Sequence, residues 1–386
     1  MSSDNQTNIY CGLRNYGNTC YINAVLQCLN STVSILQGLT DRGEHIKDIE
    51  TYKLIEKHSD DELDNVPELK EAGLTIDKIK NINIYYNFKK LLIELNKYED
   101  KTLEPLNFIM ASKSVADNNG FDNLFSGMQN DAQEFYTFLL DILHESKTSD
   151  EEIPTKFGSL EECGASSANK IYYKAEAEFK RFYNKKSSWL IKEFYFQIIC
   201  ITKCNKCDYY SLNYDPSNSL IVPIPSLTNK NQNLTLIDCL DHHFGKEIFG
   251  DESQWKCDGC QNKEKNYKQY RMFNAPKTLT INIKRFEYNP RVRDYVKNNK
   301  MIEVPEILDM SNYKLFDKNI KNIYRLYGVV NHIGNIDSGH YYSFCRNNIR
   351  KNASNDWFVY NDENISKLQG DLITPRVYML FYQLVE

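Results

Sequence analysis

Apolar residues at Ile22, Val25, Leu26 and Leu29 repeat with the spacing of one helical face. They predict a helix over residues 18–30, with Asn18 or Thr19 as its cap. The same period is clearest at 129–145, QNDAQEFYTFLLDILHE, where Phe135, Phe138, Leu139, Ile142 and Leu143 mark positions i, i+3, i+4, i+7 and i+8. Asp131 followed by Glu134 resembles a capping box, with Asp in the place of Ser or Thr. A further helix is expected over 82–96. Residues 41–71 carry eleven acids against five bases and read as a solvated helical or loop insertion, filler rather than a regulatory surface. Residues 147–170 are polar and read as a loop.

From about residue 193 the pattern changes. FYFQIICIT, SLIVPIP, TLTINIKRFEY, YRLYGVVNHIG, GHYYSFCRN, DWFVYND and VYMLFYQLV are short, β-branched and aromatic, with turn residues between them. Helices followed by strands predict an α+β fold.

Composition narrows the class. A hydrophobic fraction of 41% with 27 Tyr and 19 Phe supports a real core. A net charge of −5 argues against a nucleic-acid partner. No run approaches the ~18 apolar residues of a membrane span, and MSSDNQTNIY lacks the pattern of a signal peptide. An intracellular protein, in cytoplasm or nucleus, is expected. Its eleven cysteines then point to metal binding, catalysis or burial rather than a disulfide framework.

Two C-x2-C pairs stand out, Cys204/Cys207 in CNKC and Cys257/Cys260 in CDGC, separated by 49 residues. Two such knuckles supply four thiolates for a closed, structural zinc site. A redox C-x-x-C would want a helix start in a βαβ setting, which neither pair has. Cys200 is a rival ligand, but the knuckle spacing favours Cys204.

Two other residues carry candidate chemistry. Cys20 falls in the first turn of its expected helix, where unpaired N–H groups and the helix dipole stabilise a thiolate. His340 stands in SGHYYSF at the start of an aromatic strand, and Asn361 and Asp362 follow 21 and 22 residues later. A nucleophilic thiol needs a base, and the base needs a group that holds its tautomer. Asn15 lies outside the helix, with its amide free to donate to an oxyanion, whereas Asn18 reads as a cap.

Together, GLRNYGNTCYINAVLQCL, FSGMQNDAQEFYTFLLDILHE, the paired knuckles, TLTINIKRFEY and GHYYSFCRN…DWFVYND resemble the ubiquitin-specific protease family of cysteine deubiquitinases, from about residue 10 to the end. The resemblance implies a papain-like right hand. A flexible 1–9 would precede one catalytic domain, 10–386. Its helical thumb is about 10–150 and its zinc-bearing β fingers about 193–280. The fingers are inserted in a β-sheet palm of 150–192 and 281–386. It implies attack by Cys20 on the carbonyl of ubiquitin's C-terminal glycine, with His340 as acid and base and Asn361 as its orienter. Asp362 is placed to compensate for the neutral amide where the family also uses Asp. Asn15 matches the oxyanion donor, and Gln129 and Asp131 match positions that bind ubiquitin's tail. Glu134, Phe286 and Tyr341 are weaker substrate-binding matches, and Gly17 and Gly339 fit a narrow tunnel for a Gly-Gly tail. The implied partners are ubiquitin and ubiquitinated proteins. Zinc is structural, catalysis needs no cofactor, and a monomer is expected. Three other readings compete: a silent ubiquitin-binding scaffold, which would lack Cys20 or His340; a zinc-knuckle nucleic-acid binder; and a papain-like protease of broad specificity.

Overall fold

Cys20, Tyr21, Ile22 and every residue on to Leu29 are buried in helix α1, Cys20–Asn30, so this element is enclosed on all sides. The computed structural model describes residues 10–40, 46–58, 62–71, 73–97, 101–117, 120–184, 186–226, 233–250, 255–263, 266–336, 338–346 and 356–385. The expected flexible segment 1–9 and residues 41–45 and 59–61 of the acidic insertion lie outside them. The chain forms two compact units. The first is Met1–Lys147, Arg285–Asn299 and Tyr327–Phe381; the second is Thr148–Lys284, Lys300–Leu326 and Tyr382–Glu386.

In the first unit short helices at Val33–Thr40, Ile46–Ile55 and Pro67–Glu71 separate α1 from α2 (Ile76–Lys97), α3 (Leu106–Ala116) and α4 (Ala132–Ser146). Helix α2 starts six residues before the apolar pattern suggested. The Thr75 hydroxyl accepts the Lys78 N–H at 3.3 Å and supplies a local start signal. The acidic insertion is amphipathic: Glu50, Glu56, Glu62, Glu68 and Glu71 are exposed, whereas Tyr52, Ile55, Leu63, Val66 and Leu69 are buried. Asp131 does cap α4, accepting the Gln133 N–H at 2.7 Å. Glu134 stays exposed.

The second unit contains α5 (Ser167–Phe182), α6 (Trp189–Phe194) and α7 (Leu236–Phe244). Helix α7 falls where strands were expected; a complete capping box, Thr235 with Asp238, starts it. Strands β1 (Phe196–Lys203), β2 (Tyr210–Ser217), β3 (Leu220–Pro223), β4 (Tyr267–Met272) and β5 (Thr278–Lys284) lie here. Strand β1 sits between antiparallel neighbours β2 and β4, and β3 pairs with β5 in parallel.

The chain re-enters the first unit through a hairpin, β6 (Phe286–Asn289) with β7 (Asp294–Lys297). Then come β8 (Ile323–Gly334), β9 (Gly339–Arg346), β10 (Trp357–Asn361), β11 (Asn364–Lys367) and β12 (Val377–Leu384). Their order in the sheet is β11-β10-β9-β8-β12. Helix α1 packs on β9 and α4, so the element carrying Cys20 lies against the strand carrying His340. The fold is α+β. Among the described residues no helix is long and apolar enough to cross a membrane.

Candidate active site

Cys20 is the first residue of α1 and 2% exposed. The backbone turns sharply into it: Gly17 and Asn18 both have left-handed φ, +84° and +57°, which Gly and Asn tolerate. No acidic side chain lies in the first turn of α1, and Thr19 makes no side-chain cap bond. The positive end of the helix dipole is thus left for the sulfur. The Tyr341 N–H donates to Cys20 Sγ at 3.4 Å.

Strand β9 pairs antiparallel with β10, with Ser343 opposite Tyr360, which brings the start of β9 to the end of β10. There the His340 Nε2–H donates to Asn361 Oδ1 at 2.5 Å, leaving Nδ1 for Cys20. Asp362 Oδ2 is 4.0 Å from the same Nε2. The His340 pKa is raised to about 9, first by its hydrogen bond to Cys20, then by the Asn361 bond and the charges of Cys20 and Asp362, against the opposing effect of burial. An imidazolium is therefore favoured at neutral pH.

The turn after β10 is stapled to the segment before Cys20. Asp362 Oδ2 accepts the Asn15 Nδ2–H and Oδ1 accepts the Asn23 Nδ2–H, both at 2.8 Å. Glu363 Oε1 accepts the Asn15 N–H at 3.0 Å. Asn15 Oδ1 in turn accepts the N–H groups of Gly17 and Thr19. The Asn15 amide is thus committed on its Asp362 side rather than wholly free; one of its two N–H donors is used.

Asn18 is not the cap of α1. Its Nδ2 donates to the Gly127 carbonyl at 2.9 Å, and its Oδ1 accepts from Gln129 Nε2 at 3.1 Å. Gln129 Oε1 accepts the Gly339 N–H at 3.1 Å, so Gln129 ties the Cys20 loop to the His340 strand. Asp131 also accepts from the Tyr378 hydroxyl, and burial raises its pKa. Burial and Asp131 raise that of Glu134. Phe286 and Tyr341 belong to one aromatic cluster with His332 and Tyr378. The Tyr341 side chain is core, and its backbone N–H faces the sulfur.

A Cβ at Gly17 would meet nothing within 4 Å, whereas one at Gly339 would lie 2.1 Å from His332 Nε2. Sequence reasoning missed Asn23, His332 and Tyr378. Only Asn23, three residues beyond Cys20 on the same helical turn, carried a local signal.

In the second unit Cys204, Cys207, Cys257 and Cys260 converge, with all four sulfurs within 4.8 Å of one another. Cys204–Cys260 and Cys207–Cys257 are each 3.6 Å apart, close to the ~3.8 Å edge of a tetrahedron with 2.3 Å metal–sulfur bonds. This group could hold a metal ion. Cys200 lies in β1, opposite Tyr270.

The family model described as ubiquitin carboxyl-terminal hydrolase matches residues 11–382. Ubiquitin carboxyl-terminal hydrolase 5 of Saccharomyces cerevisiae is 28% identical over 398 residues, covering 96% of this chain and 44% of that protein. Ubiquitin carboxyl-terminal hydrolase Usp2 of Drosophila melanogaster is 28% identical over 391 residues, covering 99% and 36%. The chain thus spans less than half the length of these curated relatives. A solved SAGA DUB module of Ubp8, Sgf11, Sus1 and Sgf73 bound to monoubiquitin superposes with a TM-score of 0.66. It has 22% identity and covers all of this chain and 71% of that one; at that identity the likeness concerns the fold.

Proposed function

This chain belongs to the ubiquitin carboxyl-terminal hydrolase family, and we propose that it hydrolyses the isopeptide or peptide bond after the C-terminal glycine of ubiquitin. It would so remove ubiquitin from proteins or chains. The observation that carries this reading is the line Cys20–His340–Asn361, with Nε2 of the histidine held by the amide.

The chemistry follows from that line. Cys20 Sγ attacks the glycine carbonyl carbon, and the carbonyl oxygen becomes an oxyanion. The second Nδ2–H of Asn15 is the donor for it, a contribution of ~3–4 kcal/mol. The His340 Nδ1–H then protonates the leaving amine as the C–N bond breaks, leaving a thioester on Cys20. Neutral His340 takes a proton from water as its oxygen attacks the thioester. The C–S bond breaks, ubiquitin leaves with a free carboxylate, and the thiolate–imidazolium pair is restored. No step requires a cofactor.

Gln129, Asp131, Glu134 and Phe286 are assigned to binding the tail. Asp131 is already shared between Gln133 and Tyr378, so exposed Glu134 is the better partner for a cationic side chain. The cysteine cluster is assigned to structural zinc, because four sulfurs leave no open position. When bound, the ion would cross-link the two knuckle loops. The helical thumb, inserted fingers and palm, and a monomer acting in cytoplasm or nucleus, complete the reading; reduced metal-binding thiols suit that compartment.

The test is release of a fluorescent amine from the C-terminus of ubiquitin by the protein and by Cys20→Ala. Turnover in the first alone is expected. Turnover above background in Cys20→Ala would remove the nucleophile assignment, and none in the wild type would remove the reading.

A further inference from the structure

His332 is 2% exposed and stands on β8 directly opposite Tyr341 of β9, the two rings 4.5 Å apart. Lys297, the last residue of the β6–β7 hairpin, approaches it from one side. Its Nζ lies 2.8 Å from His332 Nδ1 and donates to the His332 carbonyl at 2.7 Å. Burial and the charges of Arg285 and Arg376 lower the Lys297 pKa to about 8; below that it is an ammonium, which offers only donors, so Nδ1 is the acceptor and the ring proton sits on Nε2. A second proton on the ring is opposed by burial and by the charges of Lys297 and His340, which push its pKa down to about 3.

The other side of the ring faces the strand of the candidate site. Nε2 lies 2.1 Å from where a Cβ of residue 339 would stand. His332 therefore fills the space beside Gly339, next to His340 and two residues from the Tyr341 N–H that meets Cys20. Among the described residues nothing accepts a hydrogen bond from Nε2. A fixed N–H against the strand of the candidate site, with its tautomer set from behind, is suited to a backbone carbonyl.

We infer that Lys297 holds His332 as its Nε2–H tautomer and that this N–H donates to a backbone carbonyl of the incoming glycine tail. This rests on the hydrolase reading. It makes Lys297 a positioning residue and His332 a substrate-binding residue. His332 does not exchange protons with the substrate; that role stays with His340.

Nitrogen NMR of the imidazoles in the full chain, with His332 assigned through His332→Gln, reads the tautomer without any substrate. The neutral Nε2–H form is expected across about pH 5 to 7, where ordinary imidazoles titrate and Lys297 is still an ammonium. The Nδ1–H form, or a ring that titrates near its usual value, overturns the inference. In Lys297→Met the two tautomers should mix; an unchanged signal overturns the role of Lys297. In the amine-release assay His332→Phe should raise KM about tenfold with kcat little changed, the mark of a lost uniform hydrogen bond. His332→Asn, which keeps an N–H, should recover part of it. Wild-type turnover with an unmoved KM in His332→Phe overturns the donor alone, whereas absent wild-type turnover overturns the hydrolase reading and leaves the tautomer to be judged by NMR.

Discussion

Asn15 and Asp362, 347 residues apart in the chain, are joined by a 2.8 Å hydrogen bond from the amide Nδ2 to Oδ2. The second oxygen of that carboxylate holds Asn23 of α1. One side chain therefore ties together the loop before Cys20, the first turn of its helix and the end of the strand that carries Asn361.

Loss of that tie should exceed loss of the histidine's amide partner. Asp362→Ala is expected to lower kcat about 100-fold, the scale of a misplaced oxyanion donor. Asn361→Ala should lose less, because Asp362 remains 4.0 Å from His340. Steady-state kinetics on the two variants checks the order; a larger loss in Asn361→Ala would reverse it.

The pH profile should carry the signature of His340. Its pKa is raised to about 9, chiefly by Cys20, so the imidazolium that protonates the leaving amine persists through neutral pH. It is lost as pH rises through that value. The alkaline limb of kcat/KM is therefore expected near pH 9. Asn361→Asp, which places an anion on the ring, should move it upward. A limb that does not shift in Asn361→Asp would remove this assignment.

Gly12 and Gly17 should respond differently to alanine. A Cβ at Gly12 would lie 2.4 Å from the Glu363 carbonyl oxygen and push the 361–363 turn away from the site. Gly12→Ala should destabilise by ~1–3 kcal/mol, the scale of an overpacked core, and cut activity sharply. Gly17→Ala meets no neighbour, so its cost is the left-handed backbone alone, ~1–2 kcal/mol. Thermal unfolding and kcat measured together separate the two.

Metal content should depend on the knuckles alone. One ion per chain is expected by native mass spectrometry. Cys257→Ser and Cys260→Ser should lose it and Cys200→Ser should keep it; retention in Cys257→Ser would refute the site.

Much of the molecule was legible before any coordinates. The strands from β1 to β12 that sequence patterns named are present because alternation and β-branched content act within a few residues. Helix α4 is capped by Asp131 for the same local reason. The misses also have causes. Helix α7 was overlooked because two adjacent histidines in a polar stretch hid its capping box. Asn18 was read as a cap, the usual fate of an asparagine before a helix, but Gln129, 111 residues away, takes its Oδ1.

The sequence by itself determined most of the element types, the two cysteine knuckles, and the candidacy of Cys20, His340 and Asn361. Each depends on residue chemistry and on spacing along a single helix or strand. Tertiary structure decided which polar groups meet. A hydrogen bond depends on direction and on a distance of about 3 Å, and any of several nearby acceptors satisfies a side-chain amide. Which acceptor Asn15 finds, and which tautomer Lys297 imposes on His332, depend on distant segments packing together, a choice that no local pattern records.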